Sequence, residues 1–402
     1  MPAALTVLMN AGPWLPVPPP DYGGIENVVA TLVPELRARG HRVVLATVGA
    51  SALEADEHLS VFPTGQFGSI TGPYNQMMGI AHAHMRAVLE RLAVGDIDLV
   101  HDHLEVVGPA ILAAARDTVP PVLQTLHWDL AKHPDFYGGF DGGGRVFFAG
   151  VSESQLSRAH PTLRRQALGA VPLATPLPGH PVVPAAGHLL TLGRLTAVKG
   201  YDLAARAARE LDLELVLAGP VAGLADRAEL DAALADPDHP ARGLADVRYF
   251  RAEVEPHLGG PVRWVGSVGG AAKEELLRTA RAALFPLRWD EPGGTAVVEA
   301  LSAGVPVVAM RRGVLPELVD HGVTGWLADS DDEFVGYLAR VDELDRDACR
   351  EVAQRRFSPA AMAERYETFY RRVLAVAGRP HVRAPRVQPL RTVIGWAAHR
   401  RA

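Results

Sequence analysis

Short apolar runs alternate with longer segments of helical period along this chain, and the pattern runs its course twice. Residues 4–9 make a first strand candidate, and 25–39 place apolar residues at helical spacing up to Gly40, where a helix-terminating glycine belongs. Strands are then expected at 42–48, 98–101, 121–126 and 145–151, with helices at 79–93 and 108–116. Strands alternating with helices of this length argue for βαβ units and a parallel sheet covered on both faces. Pro172, Pro176, Pro178, Pro181 and Pro184 interrupt the series, a density that neither a helix nor a central strand tolerates, so a linker is expected there. The alternation then resumes with strands at 188–192, 214–217, 263–265, 283–286 and 306–309. The expectation is an α/β chain of two separately wound, Rossmann-like parallel domains.

Composition narrows the class. A length of 402 residues suggests two or three domains, and 48% hydrophobic with 21% charged residues excludes wholesale disorder. A formal net charge of −6 does not suit a nucleic-acid binder. One cysteine can form neither an internal disulfide nor a cysteine-based zinc site, which points to a reducing compartment. The apolar run near the start has no basic residues before it and reads as a strand, and no stretch reaches the roughly 20 residues of a membrane span. A cytoplasmic protein is expected. Residues 379–402 carry six arginines and no acid. They read either as a basic arm making weak peripheral contact with an anionic membrane or acidic partner, or as a solvated tail on the acidic body.

Four segments carry chemistry. Asp21-Tyr22-Gly23-Gly24-Ile25-Glu26 lies between the first strand and helix, where paired glycines bring backbone close to a ligand and free N–H groups suit a phosphate. Gly193-Arg194-Leu195 and Lys199-Gly200 occupy the same place in the second half, and two cations across that turn can converge on a diphosphate, with Lys199 expected to open the next helix. In Trp289-Asp290-Glu291-Pro292-Gly293-Gly294-Thr295, Glu291 falls in a loop, and Glu299 lies about one turn into the helix expected from Thr295. Two carboxylates facing a polyhydroxy ligand accept from vicinal hydroxyls, and an unpaired Glu299 in that apolar helix would be costly. His101-Asp102-His103 would suit a metal by residue type, but no further ligand spacing supports one.

Together these motifs resemble retaining glycosyltransferases of family 4, over nearly the whole chain from Leu5 to about Gly378. Gly304-Val305-Pro306-Val307-Val308-Ala309 and Leu315-Pro316-Glu317-Leu318-Val319 extend the resemblance. It implies a GT-B fold, two Rossmann-like α/β domains facing each other across a cleft. The boundaries expected are an acceptor-binding domain over 1–171, a linker over 172–185, a nucleotide-sugar domain over 186–357, a helix over 358–378 packing back on the first domain, and the basic tail.

The resemblance implies that Arg194 and Lys199 bind a donor diphosphate, that Glu299 contacts the ribose and that Glu291 holds sugar hydroxyls, with Gly293, Gly294 and Thr295 beside them. Gly23 and Gly24 match a loop that closes on the diphosphate, and His127 a histidine facing the transferred sugar. The donor would be a nucleoside-diphosphate sugar, UDP- or GDP-linked, and no metal or other cofactor is expected. A small-molecule or glycan acceptor would be read by Asn10, Trp14, Tyr22, Tyr74, His101 and Trp128. A sugar phosphorylase of the same fold and a non-catalytic sugar-nucleotide-binding protein are the alternatives. The sequence departs from the family where many members carry Phe, here Gly293, and in Val171-Pro172-Leu173-Ala174-Thr175-Pro176, which lacks the usual Asn-Gly-Val-Asp.

Overall fold

The computed structural model describes residues 4–20, 23–185 and 187–377. Tyr22 and the basic tail lie outside the described residues. Among the described residues thirteen strands form two sheets, parallel throughout. The first comprises β1 (Thr6–Asn10), β2 (Arg42–Thr47), β3 (Glu57–Ser60), β4 (Leu99–Asp102), β5 (Val122–Leu126), β6 (Val146–Gly150) and β7 (Ala167–Ala170), in the order β3-β2-β1-β4-β5-β6-β7. The second comprises β8 (Leu189–Leu192), β9 (Leu215–Ala218), β10 (Val262–Trp264), β11 (Ala282–Phe285), β12 (Val307–Met310) and β13 (Gly325–Ala328), in the order β10-β9-β8-β11-β12-β13.

The central strands are runs such as Val-Leu-Met and Leu-Leu-Thr-Leu because both faces of each sheet are covered. One face of the first sheet packs Val7, Met9, Val43 and Leu45 against the helix Gly24–Ala38, and the other packs Leu8, Val44 and Val100 against Met85 and Val88. The second sheet is sandwiched in the same way. Three strands were not expected, β3, β7 and β13. Each is a four-residue edge strand, Glu-His-Leu-Ser, Ala-Leu-Gly-Ala and Gly-Trp-Leu-Ala, formed because a neighbour offers a ladder. The helix expected from residue 79 begins at Tyr74 and runs to Leu92.

No helix or strand interrupts residues 171–185. The helix Pro359–Ala377 follows the second sheet in sequence, yet places Met362, Tyr366, Tyr370 and Val373 in the core of the first. Among the described residues no helix is long and apolar enough to cross a membrane.

Candidate active site

In a wound sheet, strand order reverses at a switch point, where the loops leaving the carboxyl ends of the strands part and open a crevice. The reversal falls between β1 and β4 in the first domain and between β8 and β11 in the second. Arg194 and Lys199 follow β8 and Glu291 follows β11, so these segments flank the second crevice. Lys199 closes a short 3-10 turn, Ala197–Lys199, and does not open the helix as expected; the helix Tyr201–Glu210 starts after Gly200. Gly200 sits at φ +69°, and a Cβ there would lie 2.0 Å from the carbonyl oxygen of Pro286, so only glycine lets this turn close against the end of β11. That closure brings the Lys199 ammonium 2.5 Å from the Glu291 carboxylate and 5.5 Å from the Trp289 ring centroid. Arg194 is exposed and makes no hydrogen bond or ion pair among the described residues.

Glu299 lies in the helix Thr295–Ser302, just after Gly294, and its carboxylate accepts from Lys273 Nζ at 2.8 Å. The side chains of Lys273 and Glu299 keep 33% and 21% of their surface, so the pair is accessible to a ligand. Each glutamate of the motif therefore carries a lysine, Lys199 from the β8 turn and Lys273 from the helix Gly270–Thr279.

The domains meet beside this crevice. Ser152 Oγ donates to the carbonyl of Pro292 at 2.6 Å, and the Glu317 carboxylate accepts the backbone N–H groups of Glu153 and Ser154 at 2.9 and 2.6 Å. Gln155 Nε2 donates to the carbonyls of Leu126 and Trp128, so one short segment ties the end of β5 to the loop carrying Glu291. The two departures from the family pattern meet here. A Cβ on Gly293 would lie 2.6 Å from Leu173 Cδ1 and 3.3 Å from Val151 Cγ2, so Leu173 fills the place where a side chain at 293 would begin.

In the first domain, His127 follows β5. Its ring Nε2 lies 2.8 Å from Nδ1 of His103, and its main-chain N–H and that of Trp128 donate to Glu105 Oε1 at 2.6 and 2.8 Å. Val106 adopts φ 63°, ψ −60°, and the Val107 N–H closes a γ-turn onto the Glu105 carbonyl at 2.7 Å. That turn is strained for a β-branched residue, and it sets the Glu105 carboxylate under the end of β5. Burial pushes the Glu105 carboxyl up to about 7 against those two amide bonds, and Asp102 also up to about 7. Burial pushes the His127 imidazole down to about 3.

Two expected acceptor contacts are internal. Asn10 is fully buried: it donates to Asp102 Oδ1 at 2.7 Å and takes the His84 Nε2 bond at 2.7 Å, with His84 pushed down to about 4 by burial. His101 is also fully buried, with Nδ1 2.7 Å from the Tyr370 hydroxyl and Nε2 2.8 Å from Thr125 Oγ1. Both side chains tie elements together and face no cleft, which corrects that expectation. Trp14 is half-buried, while Tyr74 and Trp128 are exposed and open to a ligand. Gly23 caps the helix Gly24–Ala38, and Gly24 is exposed at its first turn with open space over its Cα.

Lys273 and Glu105 are the residues the sequence reading passed over, and His103 was weighed there only beside His101 and Asp102 as a metal ligand. A signal for the first was present in composition. The chain contains three lysines, Lys132, Lys199 and Lys273, among 40 basic residues. Two pair with the motif glutamates and the third lies 4.8 Å over the Trp128 ring. Where arginine is the default cation, a lysine marks a place that needs a compact point charge.

Residues 186–356 match the family described as Glycosyl transferases group 1, and residues 22–163 match Glycosyltransferase Family 4. The D-inositol 3-phosphate glycosyltransferase of Acidothermus cellulolyticus is 26% identical over 341 residues, covering 79% of this chain and 68% of that protein. AviGT4, a glycosyltransferase involved in avilamycin A biosynthesis, is 27% identical in its crystal structure, covering 92% of this chain and 98% of that one at a TM-score of 0.63. Anabaena HepE, in complex with UDP and glucose, shares the fold at 15% identity, covering 91% of this chain and 99% of that one at a TM-score of 0.62.

Proposed function

Because the chain belongs to glycosyltransferase family 4 and has the GT-B fold, we propose that it moves a sugar from a UDP- or GDP-linked donor to an acceptor hydroxyl, with retention of configuration and without a divalent metal. The observation that carries the reading is the contact of Lys199 with Glu291 at the second switch point. A cation and a hydroxyl acceptor are held side by side where a diphosphate and its sugar would lie.

In this reading Lys199 and Arg194 neutralise the diphosphate. The amides near Gly23, Gly24 and Gly293 to Thr295 add fixed dipoles, and Glu299 accepts from the ribose hydroxyls. Glu291 grips hydroxyls of the transferred sugar and is not a covalent nucleophile. The bond from the anomeric carbon to the phosphate oxygen breaks as the acceptor oxygen bonds on the same face. The acceptor proton passes to an oxygen of the departing phosphate, which leaves as nucleoside diphosphate. Preorganised donors on such a leaving group each contribute about 2.7–4 kcal/mol. The two lysine cations at the crevice support a reaction in which protein charge does this work. The acceptor is proposed to be a small molecule read by Trp14, Tyr74 and Trp128. The relative that acts on an inositol phosphate and the avilamycin enzyme support a small acceptor by their names. The single cysteine, Cys349, is buried, and a chain with one cysteine can form no internal disulfide, which suits a cytoplasmic enzyme.

A thermal-shift screen against UDP-, GDP-, ADP- and dTDP-sugars tests the donor. A ligand at about 100 times its Kd stabilises the native state by roughly 2.7 kcal/mol, a visible shift of the melt. A shift by one nucleotide-sugar that Arg194→Ala abolishes is the expected result. A shift by phosphate or a sugar phosphate, with none by any nucleotide-sugar, replaces the transferase reading with the phosphorylase one.

A further inference from the structure

His127 is held from two directions by the loop after β4: Glu105 takes its main-chain N–H, and His103 meets its ring. The two rings lie 5.1 Å apart and 28° from parallel. Two neutral imidazoles can form that bond in either of two senses, since one N–H must donate and the other nitrogen must offer its lone pair. The far side of His103 selects the sense. Its Nε2 lies 3.2 Å from Met9 Sδ, and a thioether can only accept. With its proton on Nε2, His103 has a bare Nδ1, so the Nε2–H of His127 donates to it. The Nδ1 of His127 is then a lone pair, with no partner among the described residues. Burial holds both rings neutral, with His103 well below its usual range and His127 down to about 3.

We propose that His103 is a positioning residue for the transfer: by accepting the Nε2–H of His127, it fixes the tautomer that offers the Nδ1 lone pair to a hydroxyl of the transferred sugar. The inference rests on the reading of His127 as facing that sugar. Its chemical consequence follows from charge. A hydroxyl on the sugar ring becomes a stronger donor to Nδ1 as positive charge grows on the ring, and that bond returns electron density to its oxygen, so the contact strengthens in an oxocarbenium-like transition state. The opposite tautomer would present an N–H and pull electron density away.

The test uses the full chain labelled with 15N-histidine and long-range proton–nitrogen correlation, with His127→Gln supplying the assignment. The expected spectrum shows His127 neutral, protonated on Nε2 and bare on Nδ1, from pH 5 to pH 8. A proton on Nδ1, or a titration of His127 within that range, overturns the proposal. Turnover supplies the second arm. His103→Gln keeps an oxygen able to accept from Nε2–H and should hold kcat within about threefold, whereas His103→Leu should lower kcat about 10- to 100-fold with donor KM little changed. Parental kcat in His103→Leu overturns the role of His103 while His127→Gln is slow. Full turnover in His127→Gln overturns the placement of the sugar at His127, and the proposal with it. If His103→Leu does not fold, the tautomer read from the unmodified chain decides alone.

Discussion

Replacing Lys199 by methionine keeps the aliphatic stem beside Trp289 and removes the ammonium that meets Glu291 at 2.5 Å. The two side chains keep 20% and 16% of their surface, so the pair lies between an exposed ion pair and a buried one. Exposed pairs are worth about 0.2–1 kcal/mol and stripping one partner from a buried pair costs about 3–5 kcal/mol, which brackets the loss here at roughly 1–3 kcal/mol. For a domain of this size that lowers the melting temperature by roughly 3–10 °C. The catalytic loss is larger, because the ammonium would meet the leaving diphosphate, and removing one such donor slows turnover about 100- to 1,000-fold. The Lys199→Met, Glu291→Gln double variant separates the two effects. It has no stranded carboxylate, so its melt recovers toward the parent while its turnover stays low. Its loss should also fall well short of the product of the single losses, since groups that act as a unit are not additive. The assay is release of nucleoside diphosphate from the donor found by thermal shift, beside a melt of each variant. Turnover of Lys199→Met within about tenfold of the parent, in a folded protein, would refute the reasoning.

Two further perturbations probe the supports of the site. Gly200→Ala puts an alanine at φ +69° with its Cβ 2.0 Å from the Pro286 carbonyl; left-handed strain of about 1–2 kcal/mol and overpacking of about 1–3 kcal/mol predict a total loss of about 2–5 kcal/mol in urea unfolding, and an unchanged midpoint contradicts it. Glu105→Gln removes a carboxyl whose folded-state pKa burial raises from 4.5 to about 7. A raised acid contributes its stability fully below about pH 4.5 and loses it as pH rises through about 7, so the parent should weaken relative to Glu105→Gln between pH 5 and pH 8, by an amount on the order of 3 kcal/mol. Denaturation curves of both proteins that stay parallel across that range would show that Glu105 is not the buried acid described.

The wound architecture was legible because central strands of a parallel sheet are buried on both faces, and unbroken apolar runs such as Leu215–Ala218 and Ala282–Phe285 declare that by themselves. Three of the four edge strands among the described residues, β3, β7 and β13, were not legible. Glu57–Ser60 and Ala167–Ala170 have no strand pattern of their own and exist because β2 and β6 present them with unpaired backbone groups. The turns that bear Arg194, Lys199 and Glu291 were readable for a local reason, since glycine and charge at the end of a strand fall within one loop.

The sequence by itself determined which residues share a turn, Lys199 with Gly200 and Glu291 with Gly293 and Gly294, and which share a strand end, His101 with His103. The tertiary structure decided what each one meets. Glu299 finds Lys273, 26 residues away, because the helix Gly270–Thr279 packs alongside its own. His101 is taken by Tyr370, 269 residues away, because the helix Pro359–Ala377 crosses back onto the first sheet, and this withdraws it from the cleft. Leu173 occupies the space beside Gly293 because the linker passes the loop carrying Glu291. Spacing along a chain sets partners within a turn or a strand, over a few ångströms of backbone. Partners across elements depend on how faces pack, and only the assembled cores settle that.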